Sequence, residues 1–139
     1  AKPVPVDPRY FRKPKQGMAL TALAGPVSNL LLALLLLLCS RLIYDFAPYS
    51  DLWNLVFGFL LDTAVLSIGL GVFNLVPIPP LDGSKVLAAF LPDRTYFQLM
   101  RYERYGMLLL IFLSFQGVGG GAISAAINWV WQLFVNLIY

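Results

Sequence analysis

Residues 17–40 contain no charged side chain, and at about 1.5 Å of rise per residue a helix of that length outreaches the roughly 30 Å hydrocarbon core of a bilayer. A second apolar run, 52–73, is interrupted only by Asp62, and residues 105–139 carry no charge at all. With 59% of the chain hydrophobic and 12% charged, a soluble domain of this size would be left with an apolar surface. These runs predict an all-α integral membrane protein, a polytopic helical bundle with three to four membrane segments and the lipid bilayer as its solvent. Spans are expected at about 17–40, 52–76 and 105–116. Residues 122–139, beyond a glycine-rich break at 117–121, fit either a span or an interfacial helix.

The charges orient these segments. Lys2, Arg9, Arg12, Lys13 and Lys15 precede the first run, Lys85, Arg94, Arg101 and Arg104 lie between the second and third, and only Arg41 falls between the first and second. Basic loops stay on the cytoplasmic side, so residues 1–16 and the Asp82 region are expected to face the cytoplasm and residues 45–51 the opposite side. The pI near 9.2 follows from these flanking residues and calls for no nucleic acid. Residues 1–16, with prolines at 3, 5, 8 and 14, predict a short extended N-terminal arm at the membrane surface, leaving 17–139 as the membrane domain. The first run does not read as a signal peptide, and a single cysteine, Cys39, excludes a disulfide framework.

Asn74-Leu75-Val76-Pro77-Ile78-Pro79-Pro80-Leu81-Asp82-Gly83 follows the second run directly. A plain membrane span has no use for Pro77, Pro79 and Pro80, because proline-broken backbone at membrane depth must pack on protein or line a watery cavity. Asp82 is open to two readings. Asp-Gly before a short helix is an N-cap signal, with the carboxylate accepting from the Ser84 or Lys85 N–H. Alternatively, the prolines fix the backbone and hold the carboxylate as a metal ligand. A lone cap demands neither an upstream asparagine nor a rigid proline run, so the complete string favours the ligand. Asn74 is open to substrate contact or to capping the second helix. Asp62 is formally an intramembrane acid, but a hydrocarbon segment shifted to 63–81 puts it at the outer interface. Gly69 and Gly71 suit close packing against the first span.

This decapeptide resembles the N-x-x-P-x-P-x-x-D-G signature of the site-2 protease family of intramembrane zinc metalloproteases. Ala24-Gly25-Pro26-Val27-Ser28-Asn29 resembles the A-G-P-x-x-N signature of the same family, and both Lys2–Pro8 and Tyr102–Gly106 are similar to its bacterial members. The resemblance implies Zn2+ as cofactor, Asp82 as a zinc ligand, Asn74 as a substrate or oxyanion contact, and Gly25, Pro26, Asn29, Pro77, Pro79, Pro80 and Gly83 as structural motif positions. For Asn29, helix packing is favoured over cavity lining. Membrane-anchored proteins in a bacterial cell membrane would be the substrates.

The family's other signature, H-E-x-x-H, is missing, and the chain contains no histidine. A catalytic zinc takes three protein ligands and a water, and Asp82 supplies one, so the zinc site is incomplete and this chain alone is not expected to be active. The reading is therefore of a C-terminal portion, with an H-E-x-x-H helix expected about 40–60 residues upstream. The alternatives are a non-catalytic membrane scaffold that keeps the fold, and a small transporter subunit in which Asp82 and Asp62 bind a cation.

Overall fold

The computed structural model describes residues 14–117 and 119–139, so the expected extended arm lies, up to residue 13, outside the described residues. Six helices follow in order: α1 (Pro14–Phe46), α2 (Asp51–Asn74), α3 (Asp82–Ala88), α4 (Asp93–Arg101), α5 (Glu103–Gln116) and α6 (Gly120–Ile138). No strand occurs among the described residues. Three helices are long and apolar enough to cross a membrane, over Lys15–Phe46, Asp51–Asn74 and Gly120–Ile138. Together they make this an all-α polytopic membrane protein.

The boundaries differ from the expected ones for physical reasons. Helix α1 begins at Pro14 instead of residue 17, because proline is well tolerated in a first turn, where its missing N–H would have no intrahelical acceptor. It also continues past residue 40 through Arg41 and Asp45, an i,i+4 ion pair of 2.8 Å that supports the helix. The segment expected as a span at 105–116 is a helix of 14 residues, about 21 Å long, short of a hydrocarbon core of roughly 30 Å. Helix α6 has the necessary length instead. Between the two, Gly117 and Gly119 take φ of 67° and 81°, left-handed values that glycine adopts without a Cβ penalty, and Gly117 forms the C-cap of α5.

The chain forms two compact units. One comprises Pro26–Phe73 and Gly119–Tyr139. Its core is Ala33, Leu37, Ala64 and Ile68, all fully buried, with Leu30, Leu61, Val130 and Phe134 packed around them. Small residues let α1 and α2 approach closely. A Cβ on Gly71 would lie 3.2 Å from the Pro26 carbonyl oxygen and 3.4 Å from Asn29 Cβ, and the Ser67 hydroxyl donates to the Asn29 carbonyl at 2.6 Å. Gly71 thus packs on α1 as expected, whereas Gly69 faces Ile127 of α6. Asp62 is exposed on α2, outside this core. At the chain's last residue, Tyr139 shares a 2.6 Å hydrogen bond with the buried Ser40 hydroxyl, and the Arg41 guanidinium lies 5.3 Å from its ring centroid.

The other unit comprises Ala1–Gly25 and Asn74–Val118. Lys15 ties its helices together, donating to the Leu91 carbonyl at 2.6 Å and pairing with Asp93 at 2.8 Å. The start of α1 is thereby fastened to the α3–α4 junction. Tyr96 is buried beside it; burial pushes its phenol up, and the Lys15 ammonium draws it partly back down.

Candidate functional site

The segment after α2 cannot be helical, since Pro77, Pro79 and Pro80 lack the N–H groups a helix would use. It closes two short turns instead. The Ile78 N–H donates to the Val76 carbonyl and, across the cis Pro79–Pro80 bond, the Leu81 N–H donates to the Ile78 carbonyl, each at 2.9 Å. Helix α3 then starts at Asp82 and stops at Ala88.

Two glycines hold this loop by its backbone. A Cβ on Gly83 would overlap the Leu75 carbonyl, and one on Gly106 of α5 would overlap the Pro79 carbonyl. Both glycines are buried. The loop is therefore clasped between the start of α3 and α5 with no side chain interposed at either point. Leu75 and Gly83 each immediately follow a candidate residue, so the backbone contact between them draws the Asn74 and Asp82 positions together. Both of those residues are half-buried.

The N-cap reading of Asp82 does not hold. Leu81 occupies the cap position in extended conformation, and no side chain caps the helix. The Ser84 N–H donates to the Leu81 carbonyl at 3.1 Å, and the buried Ser84 hydroxyl donates to the same oxygen at 2.7 Å. What the Asp82 carboxylate does meet is α1: a Cβ on Gly25 would lie 3.3 Å from its Oδ2. The carboxylate thus lies over the bare face of Gly25. No ion pair to it, from Lys85 or any other cation, is found among the described residues.

The structure therefore brings Gly25, Asp82, Gly83 and the proline loop into one site. Pro26 is fully buried and Asn29 half-buried in the α1–α2 packing. Gly106 was not singled out by sequence as a contact, although it sits in the Tyr102–Gly106 stretch; a glycine among large apolar residues of α5 was the available signal. A cavity of about 380 Å³ at the α1–α2 turn, lined by Tyr44, Tyr49, Trp53 and Phe57 among others, includes none of these residues.

The donor set can be tested against a zinc ion. Among the described residues no three of histidine, cysteine, aspartate and glutamate gather where they could hold a metal, and the sequence has no histidine. One carboxylate does not make a zinc site, which needs three protein ligands. The chain's own residues fit a single ligand position and no more.

The model of "Peptidase family M50" matches residues 43–115, which include the whole proline loop, Asp82 and Gly106. This chain belongs to peptidase family M50. Among its M50 relatives, YwhC of Bacillus subtilis, whose name marks it as an inferred zinc metalloprotease, is 32% identical over 133 residues, 92% of this chain and 59% of YwhC. Rip2 of Mycobacterium tuberculosis, named in the same way, is 35% identical over 114 residues, 82% of this chain and 42% of Rip2. The zinc metalloprotease RasP of Oceanobacillus iheyensis is 66% identical over a local stretch of 30 residues. The chain thus spans between two-fifths and three-fifths of the length of YwhC and Rip2. No solved structure matches it significantly.

Proposed function

We propose that this chain is part of an intramembrane zinc metalloprotease that hydrolyses peptide bonds of membrane-anchored proteins. Asp82 supplies one zinc ligand, and the remaining ligands come from residues outside these 139. One observation carries the assignment of Asp82: its carboxylate caps nothing and lies over Gly25, directly after a loop clasped by Gly83 and Gly106. Such a carboxylate is held in place yet free to bind, as a metal ligand requires. When bound, zinc polarises a carbonyl and lowers the pKa of its water. The chain's own part is to hold one anionic oxygen in position, with Asn74 near enough in the chain path to offer its amide to a substrate peptide.

Zinc content provides the test. The isolated 139-residue chain is expected to keep only traces of zinc after dialysis against a weak chelator, while the protein that also carries an H-E-x-x-H helix retains one ion and cleaves a membrane-anchored reporter. Stoichiometric zinc in the isolated chain would show a site built without Asp82's partners. A protein with no such helix and no cleavage would be a scaffold that keeps the fold.

The orientation belongs to the same reading: the Asp82 loop faces the cytoplasm of a bacterial cell, the side favoured by the basic flanks. Lys13→Cys, Ser50→Cys and Arg94→Cys, each in a Cys39→Ser background, are expected to react with an impermeant maleimide from outside only at position 50. Labelling at 13 or 94 but not at 50 reverses the topology.

A further inference from the structure

Helix α4 sorts its residues by face. Tyr96 is buried and Leu99 and Met100 are half-buried, at i, i+3 and i+4, whereas Arg94, Phe97, Gln98 and Arg101 are exposed. The outward stripe Arg94–Phe97–Arg101 is thus an aromatic ring between two guanidinium groups. Phe97 is 62% exposed, and Phe90, just before the helix, 85%. The Phe97 ring packs edge-on against Tyr96, with centroids 5.4 Å apart, and is otherwise open on the outward face. Neither arginine is neutralised: among the described residues no ion pair involves Arg94 or Arg101, and the adjacent Asp93 is already taken by Lys15. Arg104 and Lys85 add to the same excess of positive charge in this unit.

We propose that this stripe docks α4 onto the bilayer surface by binding anionic phospholipid headgroups, with Arg94 and Arg101 on the phosphates and Phe97 entering the boundary between headgroups and acyl chains. Exposed aromatic and basic side chains on one short helix suit that boundary, where the ring is partly desolvated while the guanidinium groups stay hydrated. The charge complementarity selects the lipid class, because juxtamembrane basic residues are attracted to anionic leaflets. Asp93, Lys15 and Tyr96 stay on the protein side and fix the helix beneath the stripe.

The test uses the full chain carrying one environment-sensitive fluorophore at Gln98→Cys in a Cys39→Ser background, which leaves the stripe intact. It is reconstituted in vesicles of phosphatidylcholine alone or with about one-third phosphatidylglycerol, and exposure is read with acrylamide, an uncharged quencher. Quenching is expected to fall about threefold or more in the anionic vesicles, consistent with the attraction of each basic residue to such a surface. The difference should vanish in the Arg94→Gln/Arg101→Gln variant, persist in Arg94→Lys/Arg101→Lys, and collapse in ~1 M salt, where the Debye length is about 3 Å. Equal quenching in the two lipids overturns the proposal, and so does a lipid difference that survives loss of both charges or high salt. The salt arm needs no substitution, so a variant that folds poorly does not spare the idea. Both leaflets of these vesicles have the same composition, so the readout depends neither on zinc nor on which way the chain inserts.

Discussion

Asp82→Asn is expected to leave the fold intact and to reduce cleavage of a membrane-anchored reporter by at least about a hundredfold, the upper end of what even outer partners of a metal site cost when removed. Asparagine keeps the shape of the side chain and loses the anionic oxygen that zinc favours in an oxygen ligand. Asp82→Ala is expected to fold equally well. A true N-cap would cost about 1 kcal/mol on truncation to alanine, but Leu81 holds the cap position and no side chain caps α3. Compared with the parent after zinc has been stripped from all three proteins, since loss of a bound metal by itself lowers apparent stability, the two variants should therefore unfold alike, without a loss of about 1 kcal/mol in Asp82→Ala relative to Asp82→Asn. The experiment compares zinc content, thermal unfolding in detergent and reporter cleavage in the protein bearing the histidine helix. Near-normal cleavage and zinc in Asp82→Asn would remove this carboxylate from the site. A stability loss in Asp82→Ala alone would restore it as a cap.

The largest effect on stability is expected from Gly83→Ala. Its Cβ would overlap the Leu75 carbonyl, a backbone group that cannot rotate away. Overpacking costs typically 1–3 kcal/mol and sometimes more, and a backbone clash belongs at or above about 3 kcal/mol. Gly106→Ala should behave similarly through Pro79. Gly58→Ala is the control: nothing lies within 4 Å of the added methyl, so the helix should gain up to about 1 kcal/mol from the better propensity of alanine. Denaturation in detergent distinguishes them. If Gly83→Ala is as harmless as Gly58→Ala, the loop is not clasped as described.

The long helices were legible because their signal is local: absence of charge over 17–40 and 52–73 is readable without knowing any neighbour. Their ends were less so, since Pro14 admits a first helical turn as readily as it breaks one, and Arg41 and Asp45 read as loop charges until they pair along α1. The importance of Asp82 was legible from the prolines around it. Its relation to Gly25 was not, because that contact joins residues more than fifty apart and depends on the absence of a side chain. The same limit hid Gly106, whose neighbour Pro79 is distant in sequence. For α4 the sequence shows the charges, but only the burial of Tyr96 shows which residues share the outward face with Arg94.

The proline loop has one more consequence, for how an extended peptide could lie beside it. Pro77, Pro79 and Pro80 have no N–H, and the N–H groups of Ile78 and Leu81 are spent on the Val76 and Ile78 carbonyls. From 77 to 81 the main chain has acceptors but not one donor to spare. Strand addition needs alternating donors and acceptors on the receiving edge, so an extended polypeptide cannot pair along this segment as a new strand. An extended chain lying here would have to give its own N–H groups to the loop's carbonyls, which makes the loop a wall along which a chain could slide instead of an edge to which it sticks.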